Sequence, residues 1–250
     1  MAIQSIERAA AILRALAGGP RRLGVSELSE RLGLAKGTVH GLLRALQEEG
    51  FVEQDAESGK YQLGASLLQL GNIYLDVNEL RGRALAWSDN LAIRTGEAVR
   101  VGTPHGDGVL VIHHVFRPDN TLQILEVGAH LPMHATALGK VLLAHRPDDV
   151  EALDGLSRLT KSTIVSLPAL ERALETVRQN GWAGEREEAV IGEASVAAPI
   201  FDRRGEATGA IGVVGAVERI FTGRTPRPEL VAHVRDAGRA ISRDLGGARY

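Results

Sequence analysis

The chain has 250 residues, a net charge of −2 and no cysteine, which excludes disulfides, thiolate metal sites, iron–sulfur clusters and cysteine nucleophiles and fits a reducing cytoplasm. Its length accommodates two domains, and with 44% hydrophobic but only 4% aromatic residues the core is expected to be aliphatic. No run approaches the roughly 18 apolar residues of a membrane span, the charges at Glu7, Arg8 and Arg14 do not suit a secretory signal, and near-neutrality means that any nucleic-acid contact must come from a local patch.

Ile6, Ala9, Leu13 and Leu16 recur at helical spacing, and Gly18-Gly19-Pro20 stops that helix. Ser26 is the expected cap of a second helix, with Glu27 in its first turn, Leu28 and Leu32 as its apolar stripe and Gly33 as its end. After a tight turn, Val39, Leu42, Leu43 and Leu46 place one face of a third helix inward. The opposite face presents Lys36, Gly37, His40, Gly41, Arg44 and Gln47, with Thr38 near the leading end. Two short helices joined by a glycine turn, the second polar outside, make a helix-turn-helix. Residues 51–54 and 60–63 then read as two strands around the turn residues Asp55 to Gly59, with Tyr61 and Leu63 sharing a face. This hairpin is a wing, and Lys60 at its tip is a candidate phosphate contact.

The same pieces could form a small packed domain, even a protein-interaction module, but the order helix, helix-turn-helix, hairpin favours double-stranded DNA. Lys36, Thr38 and His40 are the expected base-edge or phosphate contacts, Arg44 a further phosphate contact, and Gly37 and Gly41 permit close backbone approach. Residues 1–64 carry eight basic and eight acidic side chains, so tight binding calls for two or more copies. From Ala65 onward, Leu67, Leu68, Leu70, Tyr74, Leu75 and Val77 spread over a wide arc of a linker helix, which self-association would cover. Packing of that arc on the second domain is the alternative.

The helix is expected to continue over Leu80 to Thr95, with Ala84, Leu85, Trp87 and Leu91 as core positions. A hairpin follows, alternating at Val99, Val101 and Thr103, turning over Pro104 to Gly108 and returning through Val109 to Val115. After a polar segment, Leu122 to Leu125 reads as another strand. Helices are expected over Thr136 to Ala144 and Leu167 to Asn180, and a second hairpin over Ser195 to Phe201 and Ala207 to Gly215. A last helix opens near Pro228, buries Leu230, Val234, Ala237, Ile241 and Leu245, and ends at Gly246. The fold class is α+β, with helices expected mainly on one face of the sheet.

Several features resemble catalytic or metal motifs without meeting their context. His113 and His114 are strand neighbours pointing to opposite faces, short of a zinc ligand set. His134 reads as a pocket wall or a satisfied buried imidazole. Gly209, Gly212 and Gly215 lie in a return strand rather than at a strand-to-helix turn, so they are no dinucleotide fingerprint. Glu185, Glu187 and Glu188 read as a solvated loop. No catalytic residue, cofactor or metal is expected, and the alternative function is a small-molecule-processing enzyme with an N-terminal helical interaction module.

Five stretches in this order resemble the IclR-type transcriptional regulators: Ser5-Ile6-Glu7-Arg8-Ala9, the run GLAKGTVHGLLRALQEEGF, Tyr61-Gln62-Leu63-Gly64, the run from Leu131 to Lys140, and Glu187-Glu188 with residues 197–202. Within that family Tyr74-Leu75-Asp76-Val77, residues 113–119 and residues 215–219 resemble the actinobacterial glycerol-operon regulators. The resemblance implies a winged helix-turn-helix over residues 1–64, a linker and dimerisation helix over 65–79, and a GAF-like effector domain over 80–250. It also implies a homodimer or dimer of dimers on operator DNA and a small-molecule effector, glycerol or glycerol phosphate. By the same resemblance the effector pocket comprises Thr136, Ala137, Leu138 and Gly139 at a helix start, Glu185, Ser195, and Gly212 and Val214, where carboxylate-binding members carry two serines. The expected function is a cytoplasmic, ligand-responsive regulator, a repressor more than an activator.

Overall fold

The chain, described by a computed structural model over residues 4–119, 121–153 and 155–247, folds as two units, Met1–Val77 and Asn78–Tyr250. The first comprises α1 (Gln4–Ala17), α2 (Val25–Leu32), α3 (Lys36–Glu48), β1 (Val52–Gln54), β2 (Tyr61–Leu63) and α4 (Ser66–Asp76). Ser26 does not cap α2. Gly24 holds the extended N-cap position, and its amide donates to the Glu27 carboxylate one turn on, which leaves Ser26 inside the first turn. Gly33, at φ 64°, supplies the left-handed residue that ends α2. The Leu34 amide and the Ser29 hydroxyl then close the turn reciprocally, at 3.1 and 2.6 Å.

Ile12, Leu16, Leu28, Val39, Leu43, Leu46, Val52 and Tyr61 form one core beneath these elements. Leu28 and Leu43 are fully covered, each contributing roughly 1.5–3 kcal/mol relative to exposure. β1 and β2 pair antiparallel with Gln54 opposite Tyr61, and Leu23 adds a further bridge to Tyr61. That bridge draws Tyr61 into the core, whereas Leu63, two residues on, stays 38% exposed. α4 contains no buried residue; Leu70, Ile73, Tyr74 and Val77 lie exposed at i, i+3, i+4 and i+7, one continuous apolar stripe.

The second unit begins with α5 (Glu79–Thr95), separated from α4 because Asn78 leaves helical geometry and its side chain accepts the Arg81 amide at 2.9 Å. There follow β3 (Ala98–His105), β4 (Gly108–Val115), β5 (His130–Pro132), α6 (Ala137–His145), α7 (Pro147–Glu151), α8 (Leu167–Asn180), β6 (Ala183–Arg186), β7 (Glu193–Phe201), β8 (Ala207–Ala216), α9 (Val217–Ile220), the short pair β9 (Phe221–Thr222) and β10 (Thr225–Pro226), and α10 (Pro228–Asp244). The main sheet runs β5-β4-β3-β8-β7-β6, with every pair antiparallel.

Helices cover both faces of this sheet rather than mainly one. Successive residues of β8 are buried alternately to either side. A Cβ on Gly209 would strike Leu80 of α5, while Ala210 joins the cluster of α6 and α8 that holds Leu138, Leu142, Leu170 and Leu174. α10 lies on the α5 side, where Gly238 lets it approach the Pro199 carbonyl. Three local expectations also change. Pro104 belongs to β3, because β8 pairs only as far as Gly102 and nothing there needs a proline N–H; the hairpin turns over Gly106 and Asp107 alone. Leu122 to Leu125 is an extended loop with Leu122 and Ile124 exposed, and His130–Pro132 takes the place beside β4. Trp87 sits at the rim of α5 with its indole N–H donating to Asp244 at 2.8 Å, and Ser88 occupies the buried position.

Candidate DNA interface and effector pocket

α3 divides cleanly by exposure. Val39, Leu43 and Leu46 are buried, whereas Lys36, Gly37, His40, Gly41, Arg44 and Gln47 are exposed and Thr38 is half-buried at the leading edge. A Cβ added to Gly37 or Gly41 would meet nothing within 4 Å. Glycine inside a helix costs about 1 kcal/mol relative to alanine, and nothing in the fold itself calls for it here.

Among the described residues no carboxylate lies in ion-pair contact with Lys36, while Arg44 pairs with Glu48 one turn on at 3.1 Å. Both members of that pair are exposed, so it contributes little and leaves Arg44 able to swing to another anion. Lys60 is tied back to Glu27 at 3.0 Å, and Arg22 to Asp55 at 2.9 Å beside the wing turn. The Gly24 amide and then Lys60 hold the Glu27 carboxyl below its ordinary range. Lys60 thus reaches a phosphate only by exchanging partners.

In the second unit α6 starts where Thr136 caps it: the Gly139 amide donates to the Thr136 hydroxyl at 3.1 Å, and that hydroxyl donates to the Pro132 carbonyl at 2.9 Å. Thr136, Ala137 and Leu138 face Ser195, Gly212 and Val214 across a cavity of only about 10 Å³, which Arg100 and Leu131 also line. Gly139 lies behind this shell. A Cβ there would fall 2.2 Å from the Met133 carbonyl oxygen, so α6 packs on backbone at that point. Glu185 reaches the shell through Ser195, whose hydroxyl donates to it at 2.9 Å.

The acidic run from Glu185 is no solvated loop. Glu185 is 3% exposed, accepts the Glu188 amide at 2.7 Å, and burial pushes its carboxyl up to about 7. Glu188 receives the ammonium of buried Lys140 at 2.5 Å, and burial raises its carboxyl too, against that pull. One ammonium faces two enclosed carboxylates, an arrangement that retains a proton on Glu185. Arg100 was invisible to sequence reasoning except as a lone charge between Val99 and Val101. Alternation turns it to the α6 side, where Glu126 and Glu193 hold its guanidinium. His134 is buried and hydrogen-bonded to the Ser157 carbonyl at 3.0 Å. Among the described residues no three His, Asp or Glu side chains gather as a metal site, and no helix is long and apolar enough to cross a membrane.

Comparison with known proteins bears on both surfaces. Residues 5–56 match the IclR helix-turn-helix domain, and residues 72–243 match the family described as Bacterial transcriptional regulator IclR C-terminal. The chain is 57% identical to the glycerol operon regulatory protein of Streptomyces coelicolor, over 99% of this chain and 98% of that protein. It is 33% identical to the HTH-type transcriptional regulator XynR of Escherichia coli, over 98% of each. The crystal structure of an IclR transcriptional regulator from Alicyclobacillus acidocaldarius superposes with a TM-score of 0.83 at 26% identity, covering 99% of this chain and 100% of that one.

Proposed function

The chain belongs to the IclR family of bacterial transcriptional regulators, which are not enzymes, and within it we propose that this protein is a repressor of a glycerol catabolic operon, released from its operator by glycerol or glycerol phosphate. The supporting observation is the α3 face, polar and exposed, with two glycines that its own fold does not require. Lys36, Gly37, Thr38, His40 and Arg44 enter the major groove in this reading, and Lys60 touches the DNA backbone after leaving Glu27. Residues 1–64 act as the winged DNA-binding domain, 65–79 as the linker and 80–250 as a GAF-like effector domain, in the cytoplasm.

The apolar stripe of α4 is covered by the same stripe of a second copy, giving a homodimer or a dimer of dimers. Two reading heads then engage half-sites about 34 Å apart, or a multiple of that, which offsets the balanced charge of each head. The effector enters the shell of Thr136, Ala137, Leu138, Ser195, Gly212 and Val214, with Gly139 behind the first turn of α6 and Glu185 behind Ser195. The identity to a protein named for the glycerol operon supports the choice of ligand. A protonated Glu185 and the hydroxyls of Thr136 and Ser195 suit a polyol, and the start of α6 suits the anionic end of its phosphate.

The test is a gel shift of the full chain on the DNA upstream of its own gene, with glycerol and glycerol 3-phosphate added separately. Retardation relieved by one of them is the expected result. Lys36→Ala and Arg44→Ala should each weaken binding and flatten its salt dependence by about one phosphate contact. Retardation indifferent to both compounds would remove the glycerol assignment; unchanged affinity in both variants would remove the α3 interface.

A further inference from the structure

A concavity of the second unit lies away from the α6 shell, where β7 runs past the end of β6. β6 pairs only with residues 194–197 of β7, and beyond it Ala198, Pro199 and Phe201 border a cavity of about 560 Å³. That volume is within the range of roughly 300–1,000 Å³ that holds small organic ligands. The last turn of α8 and the second half of α10 form its sides.

Its charged lining has a single sign. Arg178, Arg235, Arg239 and Arg243 face it, and no Asp or Glu does. Arg235, Arg239 and Arg243 recur every fourth residue along α10, a spacing at which like charges repel. Among the described residues no carboxylate lies in ion-pair contact with any of these three. Arg178 is already engaged, with Glu175 and with the Ala144 carbonyl at 3.2 Å. His145 is a further lining residue, and its ring meets Phe201 edge-on at 5.0 Å.

We propose that this cavity is a second ligand site, distinct from the α6 shell, and that it takes an organic phosphate. Three guanidiniums without counter-ions call for more negative charge than one carboxylate carries, whereas a phosphate monoester brings between one and a half and two charges, roughly, and oxygens that match the guanidinium fork. Ala198, Pro199 and Phe201 give the carbon portion an apolar wall, which a bare inorganic anion would leave unused. Occupancy would tie α10 to the α8 end of the sheet, and α10 packs directly on α5. This proposal stands apart from the glycerol reading, since it uses none of the same residues.

The experiment is titration calorimetry of the full chain with ADP and, separately, fructose 1,6-bisphosphate, with inorganic phosphate as a third arm. Saturable binding of at least one of the two organic phosphates, one per chain and tighter than inorganic phosphate, is expected. The double variant Arg235→Gln/Arg239→Gln should weaken it at least about tenfold, Arg239→Lys less, and Ser195→Ala not at all. Arg239 and Arg243 are exposed, so Arg239→Gln/Arg243→Gln, which should keep the wild-type melting temperature, is the second variant pair. Lack of saturable binding by either organic phosphate would overturn the proposal, as would affinity unchanged in both pairs. Loss with Ser195→Ala would move the ligand to the α6 shell and refute the assignment.

Discussion

Glu185 and Ser195 face each other across β6 and β7, and the Ser195 hydroxyl donates to the Glu185 carboxyl at 2.9 Å. The pair closes one side of the region around α6, and its carboxyl is enclosed enough to titrate near 7. That value governs how stability should follow pH. From about pH 4.5 to about pH 7 the folded chain keeps a proton on Glu185 that the unfolded chain has released. The contribution of Glu185 to stability is therefore greatest below this window, declines through it and levels off above, by an amount on the order of 3 kcal/mol. Glu188 shifts in the same direction. Melting curves across this range should show the decline, and Glu185→Gln, which mimics the protonated form, should flatten it and melt above the wild type at pH 8. Burial lowers the imidazoles of His113, His114 and His145, which act in the opposite direction over the same range. The readout is therefore the difference between Glu185→Gln and wild type, and a difference that does not grow from pH 5 to pH 8 would contradict this protonation.

Gly41→Ala separates stability from DNA binding. The added methyl group meets nothing in the fold, so the helix should gain about 0.5–1 kcal/mol in urea denaturation. In the proposed DNA-bound arrangement the same methyl group would stand between α3 and the duplex, so operator affinity should drop. Stability and affinity rising together would show that no close backbone approach occurs there.

Gly139→Ala should behave in the opposite way. This glycine is also helical, but its Cβ would lie 2.2 Å from the Met133 carbonyl oxygen and 2.4 Å from the Met133 Cα. The backbone must shift, and overpacking of this kind costs typically about 1–3 kcal/mol, outweighing the helix-propensity gain. Denaturation of the variant should show a lower midpoint with an unchanged slope.

Leu70→Glu combined with Ile73→Glu tests the α4 stripe. Both side chains are more than half exposed within a single chain, so the isolated fold should tolerate the change. Sedimentation velocity should show the wild type as an assembly and the double variant as a smaller species. Identical sedimentation of the two would mean that this stripe is not the contact.

What the sequence disclosed follows from where the forces are local. α8 was legible to the residue because Pro168 sits in its first turn and Gly181, at φ 72°, closes it. The buried side of α3 follows a strict 3.6 period for the same reason. Non-local forces hid the rest. Ala183–Arg186 carries no β-branched residue, and it is a strand only because β7 pairs with it. Leu122 to Leu125 has strand composition but pairs with no strand, so it stays a loop. Pro104 could be placed only once the pairing of β3 with β8 was known to end at Gly102 and Ala210. Around α6, the family resemblance pointed to Thr136, whereas the burial of Glu185, Glu188 and Lys140 depends on loop packing far apart in sequence.

The tight closure around Thr136, Leu138 and Ser195 has a kinetic consequence. A space of about 10 Å³ holds no more than roughly one water molecule, so any solute admitted there must wait for the surrounding side chains to part. Capture would then be gated: in stopped-flow mixing, the observed rate should climb with solute concentration and reach a plateau set by the gate's own opening frequency.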